Sequence, residues 1–182
     1  MTTLKALDRI PDNLDYAAAS QFRFSINRLP EVEYFVTKAN LPTITLTGDA
    51  KIGTPFKDIF LAGDTVEYSD LSIEFLVNET YENWEEVYKW IIGIGFPTER
   101  KQFGEMISGN DATQPSGGIS PMFSDATLTI LSNKNNPLLQ VVFRSLFPTE
   151  LTGVEFNTQE TDVSNLTATA TFKFTDFEIR RL

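Results

Sequence analysis

Leu71-Ser72-Ile73-Glu74-Phe75-Leu76-Val77 is the most informative stretch of the chain. Leu71, Ile73, Phe75 and Val77 alternate with Ser72, Glu74, Leu76 and Asn78. A period of two puts the first set on one face and the second on the other, the pattern of a half-buried strand. The period then changes. Tyr81, Trp84, Tyr88 and Ile91 recur at spacings of 3, 4 and 3, with Val87 on the same side. That predicts an amphipathic helix with this stripe against the core. Asn78 or Thr80 stands where a cap is needed, and Glu82, Glu85 and Glu86 suit the positive end. Gly93 and Gly95-Phe96-Pro97 stop the helix. Trp84 and Trp90 face different directions on it, and Trp84 reads as core rather than as a ligand platform.

Toward the N-terminus, Phe22, Phe24 and Ile26 alternate with Arg23, Ser25 and Asn27, which predicts a strand. Leu29-Pro30-Glu31 reads as a turn and residues 32–39 as a second strand, so the two are expected to pair as a hairpin. Asn40-Leu41-Pro42 ends it, since Pro42 has no N–H for a ladder. Residues 43–63 are rich in Thr, Gly, Asp and Pro around Ile44, Leu46, Ile52, Phe56, Ile59 and Phe60. That is too long for a plain turn. An extended hairpin with Gly48-Asp49 near its tip is expected. Residues 1–20 are mixed and polar and read as an N-terminal arm, ahead of a single domain over 21–182.

Toward the C-terminus, residues 97–123 carry Pro, Gly, Ser and Asn without a period and read as a long loop or insertion. Ala126, Leu128 and Ile130 then alternate with Thr127 and Thr129. Residues 139–147 form the next expected strand, closed by Pro148. The last runs over about 166–174, with Ala168, Ala170 and Phe172 against Thr167, Thr169 and Thr171, and extends through Phe177 and Ile179. About seven strands and one helix predict a mainly β fold, a sandwich or barrel with one packed α-helix.

Composition narrows the function. The 182 residues fit one domain at about 150 residues each. Cysteine is absent, which excludes disulfides, thiol catalysis and zinc ribbons. Histidine is absent too, which excludes Ser-His-Asp chemistry and most transition-metal sites. The net charge of −10 opposes nucleic-acid binding, though it suits a surface along which DNA slides. Residues 1–21 hold no apolar signal core, and the longest apolar run, 90–96, is too short for a membrane span.

No constellation points to catalysis. Ser116-Gly117-Gly118 lacks the Lys-Ser/Thr of a phosphate loop. Glu85 and Glu86 are adjacent and point apart. Asn110, Asp111 and Asp125 lack the spacing of a calcium loop. Asn78-Glu79-Thr80 and Asn165-Leu166-Thr167 match a glycosylation triplet, which means little without a secretion signal. No enzyme, cofactor or metal site is expected. Function is expected in surfaces, above all in open strand edges, which template pairing with other chains.

The order of punctuation is itself informative. Ala39-Asn40-Leu41-Pro42 follows the second strand, Ala62-Gly63-Asp64-Thr65 precedes the central one, and Leu146-Phe147-Pro148-Thr149 precedes the Thr-rich last strand. Over about residues 20–180 the chain resembles the tail tube protein family of contractile-tailed, T-even-type bacteriophages. That family has an Ala-x-x-Leu-Pro after its second strand, from which this chain departs by placing Asn40 directly before Leu41. The family's Ala-Gly-Asp and aromatic-Pro-Thr segments are both matched.

The resemblance implies a structural virion protein. Its hexameric rings would stack into the inner tube of a contractile tail, a conduit for DNA ejection. Implied partners are further copies of the chain, the sheath protein and the baseplate tube initiator, with DNA passing unbound. Assembly in the host cytoplasm is implied as well. Room for the tube module alone favours the tube itself over a baseplate tube initiator or cap subunit. A tube protein of an injection or secretion system, a monomeric β-sandwich binding module and a carboxylate-dependent hydrolase are the other readings. Ile44, Leu46, Ile52 and Phe56 are the candidates for contacts between rings, and Asp70 and Glu74 for an acidic lumen.

Overall fold

Eleven strands and two helices follow one another along the described residues of the computed structural model, which are 15–53, 55–95, 97–101, 122–157 and 165–182. In chain order they are β1 (Phe22–Ile26), α1 (Pro30–Phe35), β2 (Val36–Ala39), β3 (Ile44–Thr47), β4 (Ala50–Ile52), β5 (Ile59–Leu61), β6 (Thr65–Tyr68), β7 (Leu71–Leu76), α2 (Glu82–Gly95), β8 (Ser124–Leu131), β9 (Pro137–Leu151), β10 (Thr167–Lys173) and β11 (Asp176–Arg181). Residues 1–14 of the expected arm and 102–121 of the expected loop lie outside the described residues. So do Asn110, Asp111, Ser116, Gly117 and Gly118. No described helix is long and apolar enough to cross a membrane.

Seven strands make the main antiparallel sheet, in the order β1-β8-β9-β10-β7-β2, with β11 also paired to β9. The other four form two short ribbons, β3 with β6 and β4 with β5. The architecture is therefore mainly β with packed helices, as the alternating patterns predict. The strand count exceeds the expected seven because the 43–69 segment is built as ribbons.

Three local readings are corrected. Residues 30–35 form helix α1 rather than a turn and the start of a strand. Pro30 sits in its first turn with φ already set for a helix, and Glu31 and Glu33 favour its positive end. Buried Val32 ties this six-residue helix to the core, so tertiary packing overrides its β-like composition. In consequence β1 and β2 do not form a hairpin: β1 pairs with β8 and β2 with β7. Finally, the buried face of α2 is centred on Asn83, Val87, Trp90 and Gly93. Of the expected stripe, Val87 is buried and Trp84 and Ile91 pack against the core as read, while Tyr81 and Tyr88 are turned away from it. Tyr81 and Tyr88 remain 37% and 45% exposed.

The reason for that rotation is a joint between strand and helix. Asn83 is fully buried, donates to the Leu76 carbonyl at 2.8 Å and accepts from the Asn78 N–H at 3.2 Å. Both bonds satisfy backbone groups left open where β7 ends, and they aim this side of the helix inward. Asn78 does not cap the helix; its carboxamide oxygen is buried and unbonded.

Strand β9 runs 15 residues and is the spine of the fold. Pro148 does not close it. Pro148 lies opposite Phe172, where the β9–β10 register shifts, a place that tolerates a missing N–H. The pairs Lys173↔Phe147 and Asp176↔Arg144 share one register, so residues 174 and 175 bend the last strand without losing alignment. Opposite that bend Ser145 takes a left-handed φ of 53°, and its N–H donates to Asp125 Oδ1 at 3.0 Å. The Asp125 carboxylate thus holds the corner of β9.

The core fills the space enclosed by this bent sheet and α2. Phe24, Ile73, Phe75, Phe143, Phe172 and Trp90 are each at most 2% exposed. Each such side chain contributes about 1.5–3 kcal/mol by leaving water. Trp90 packs 6.1 Å from Phe172, donates its N–H to the Met122 carbonyl at 3.0 Å and lies 5.1 Å beneath the Arg28 guanidinium.

Candidate assembly surface

The β3–β6 and β4–β5 ribbons form an arm that projects from the main sheet by way of two joints. At its base Tyr68 packs on Phe174 and Phe177, at 5.7 and 5.2 Å, where the last strand bends. At its middle Gly48 takes a φ of 82°, which favours glycine. A Cβ on Gly63 would stand 1.9 Å from the Thr47 carbonyl oxygen. Only glycine at 63 permits this close backbone approach. The expected tip at Gly48-Asp49 is therefore the kink, and the pairing of β4 with β5 carries the tip out beyond residue 52.

The arm is amphipathic. Ile44 pairs with Tyr68 and Leu46 with Val66, so these four share one face. Thr45, Thr47, Thr65 and Glu67 share the other. Beyond the kink Ile52 pairs with Ile59 on one face, and Lys51 with Phe60 on the opposite one. All four candidates for ring contacts lie here: Ile44 is 57% exposed, Leu46 54%, Ile52 49% and Phe56 100%. A two-stranded ribbon is marginal alone, and an exposed apolar face this long marks an interaction surface. The charges beside it are of mixed sign, with Lys51 2.7 Å from Asp58.

Sheet edges supply a second kind of surface. Among the described residues β1 pairs only with β8, β2 only with β7 and β11 only with β9, so each has one open side. Open backbone N–H and C=O groups template pairing. The β11 edge carries a charged cluster in which Arg144 meets Asp176 at 3.4 Å and Glu178, and Arg180 meets Glu178 at 2.8 Å. The bond from Arg180 and the nearby Arg144 hold the Glu178 carboxyl below the usual range.

The two acidic candidates are placed differently. Glu74 points away from the core on β7, and its Oε2 lies 2.8 Å from Lys38 Nζ. Its charge is therefore locally balanced. Asp70 is exposed at the entry to β7, and its carbonyl accepts from Asn40 Nδ2 at 3.1 Å. Asn40 Oδ1 accepts in turn from the Ser72 N–H at 2.7 Å. The Asn40 side chain thus extends the β2–β7 ladder past its last backbone pair, a role the sequence did not signal.

No family model matches the chain. Its sequence is 28% identical over 140 residues to the tail tube terminator protein of Enterobacteria phage T4, which spans 76% of this chain and 69% of that protein. A chain from the cryo-EM structure of the anti-feeding prophage tube-terminating cap superposes with a TM-score of 0.61 at 12% identity, covering 98% of this chain and 100% of that one. The fold is tail-tube-like. A chain from the extended sheath–tube complex of an extracellular contractile injection system, PVC, gives a TM-score of 0.55 at 12% identity, covering 92% and 93%. The fold is thus similar both to chains of a sheath–tube complex and to a terminating cap. The chain matched in the cap structure is covered over its full length, so length alone does not favour the tube over a cap.

Proposed function

We propose that this chain is a structural subunit that ends the tube of a contractile tail. Copies of it would form a ring of six, seat on the last ring of the tube and stop further stacking. The observation that carries the reading is the 28% identity to a tube terminator across 76% of the chain. The tail of a virion is its location in this reading, and tube and sheath proteins are its neighbours. It performs no chemistry: its work is done by edge pairing within the ring and by the apolar arm between rings. Joining open edges around a closed ring would remove the unpaired backbone groups of β1, β2 and β11.

A terminator and a tube protein differ in what they do alone. Light scattering after size exclusion, with negative-stain images of the same fractions, separates them. The expected result is monomers or single rings that do not elongate as concentration rises. Added to purified tube subunits at one part in ten, the chain is expected to shorten their tubes. Long hollow tubes formed by this chain alone would return the assignment to the tube protein itself, the second reading that the shared fold permits.

A further inference from the structure

Two members of the stripe that sequence periodicity assigns to the core, Tyr81 and Tyr88, are left on the surface, while Val87 is buried and Trp84 and Ile91 pack against the core. Trp84 is half-buried and stacks on Tyr88 at 5.5 Å and 11°. Tyr81 meets Phe156 at 6.4 Å, and Phe156 is 73% exposed. The Trp84 N–H donates to the Thr152 carbonyl at 3.2 Å, which fixes the segment after β9 along the helix. Tyr81 holds a φ of 59°. A bulky residue in the left-handed region is strained, and such strain concentrates at functional sites. Two aromatic pairs thus lie along α2 and residues 152–157, and they present Tyr81, Tyr88 and Phe156 as an exposed aromatic platform backed by Trp84.

The charged residues next to these rings in the chain are mostly acidic. Glu79, Glu82, Glu85 and Glu155 flank the rings in the chain. The nearby cation Lys89 is taken up by Glu85 at 2.9 Å. Among the described residues Glu79, Glu82 and Glu155 have no ion pair. The arm, with its mixed charges, suits a second copy of the same chain. This face, acidic and aromatic, is complemented by a positively charged segment, and it repels nucleic acid and anionic lipid. We propose that α2 and residues 152–157 form a docking site for a basic segment of a different protein, whose arginine side chains lie over the exposed Tyr81, Tyr88 and Phe156 rings and pair with the flanking glutamates. Guanidinium groups stack on aromatic faces and accept carboxylate partners at once, so rings and acids together select arginine.

The site is independent of the terminator reading and is tested without assembly. The probe is a fluorophore-labelled hexa-arginine peptide, titrated into the full chain at low salt and read by anisotropy. Tyr88→Ala with Phe156→Ala, both at exposed positions, is expected to weaken binding about tenfold. Asp58→Asn with Glu67→Gln removes two acids from the arm instead and is expected to leave affinity within about twofold. Equal losses in the ring and arm variants would reduce the binding to net charge and overturn the proposal. So would intact peptide binding by the Tyr88→Ala, Phe156→Ala protein together with a changed self-association mass, which would assign the platform to contacts between copies. Near-UV circular dichroism from buried Trp90 reports that each variant is folded.

Discussion

Glu86 shows how one side chain on α2 bears the cost of a crowded acidic surface. Its Oε2 is buried without a hydrogen-bond partner. Burial raises its pKa above the usual carboxylate value, and Glu31 and Glu82 raise it further, against the pull of Lys89. The folded state therefore holds a proton that the unfolded chain has already released. Stability falls as pH rises from the ordinary carboxylate range through the raised value, and the loss persists above it. Glu86→Gln is expected to melt about 1–2 °C higher than the parent at pH 7, a small gain because the site is half-exposed to screening solvent. The gain should vanish near pH 4, where both proteins are neutral at this position. Thermal melts at the two pH values check this; an equal gain at both would point to a packing effect.

The same scale explains which residues the sequence hid. Asn83 carries no pattern that marks it as buried, because its role is to bond two backbone groups that exist only once β7 meets α2. Gly63 was legible as punctuation, but its need for glycine lies in the Thr47 carbonyl 16 residues away.

The arm is the element that the monomer does not stabilise from within. In the proposed ring its apolar face is buried by another subunit, and its exposed side chains contribute little to the monomer's stability. Ile52→Ser with Phe56→Ser is expected to change the unfolding free energy by less than about 0.5 kcal/mol. The same pair should weaken association with a neighbouring ring at least about tenfold. Denaturant melts and sedimentation of the variant with tube subunits measure both; a large stability loss would mean that the arm folds against its own subunit. The arm's length and apolar content were readable in the sequence. Its kink was not, since Gly48 and Gly63 meet only when the two strands run side by side.

At the level of the whole molecule, the net charge of −10 would bear on DNA passage in the proposed role. Copies arranged in a ring concentrate that charge, and a lumen lined with it repels phosphates. Asp70 and Glu74 are proposed to line it. Asp70 is the more exposed of the two charges, while Glu74 already offsets Lys38. Reversing both, Asp70→Lys with Glu74→Lys, leaves Lys38 unpaired beside two new cations. Assembled rings of this variant are expected to retain duplex DNA at low salt and release it by about 0.5 M salt. Gel-shift titration against the parent rings tests the role; DNA release equal to the parent would remove these two residues from the lumen.

The alternation of apolar and polar residues was enough to establish a mainly β chain, most of its strands and the span of α2. That holds because period-two and helical patterns reflect one-sided burial within a single element, a local property. The absence of histidine and cysteine likewise limited the chemistry directly. Tertiary structure settled the pairing of β1 with β8, the conversion of residues 30–35 to a helix, the bend shared by β9 and the last strand, and the face of α2 turned inward. Each of these depends on contacts between distant residues: Val32 in the core, Asp125 on Ser145, Asn83 on Leu76. The surface aromatic platform is the clearest case. Tyr81 and Tyr88 keep the spacing of a core stripe, and only the docking of Asn83, Val87 and Trp90 in the core left these two facing outward.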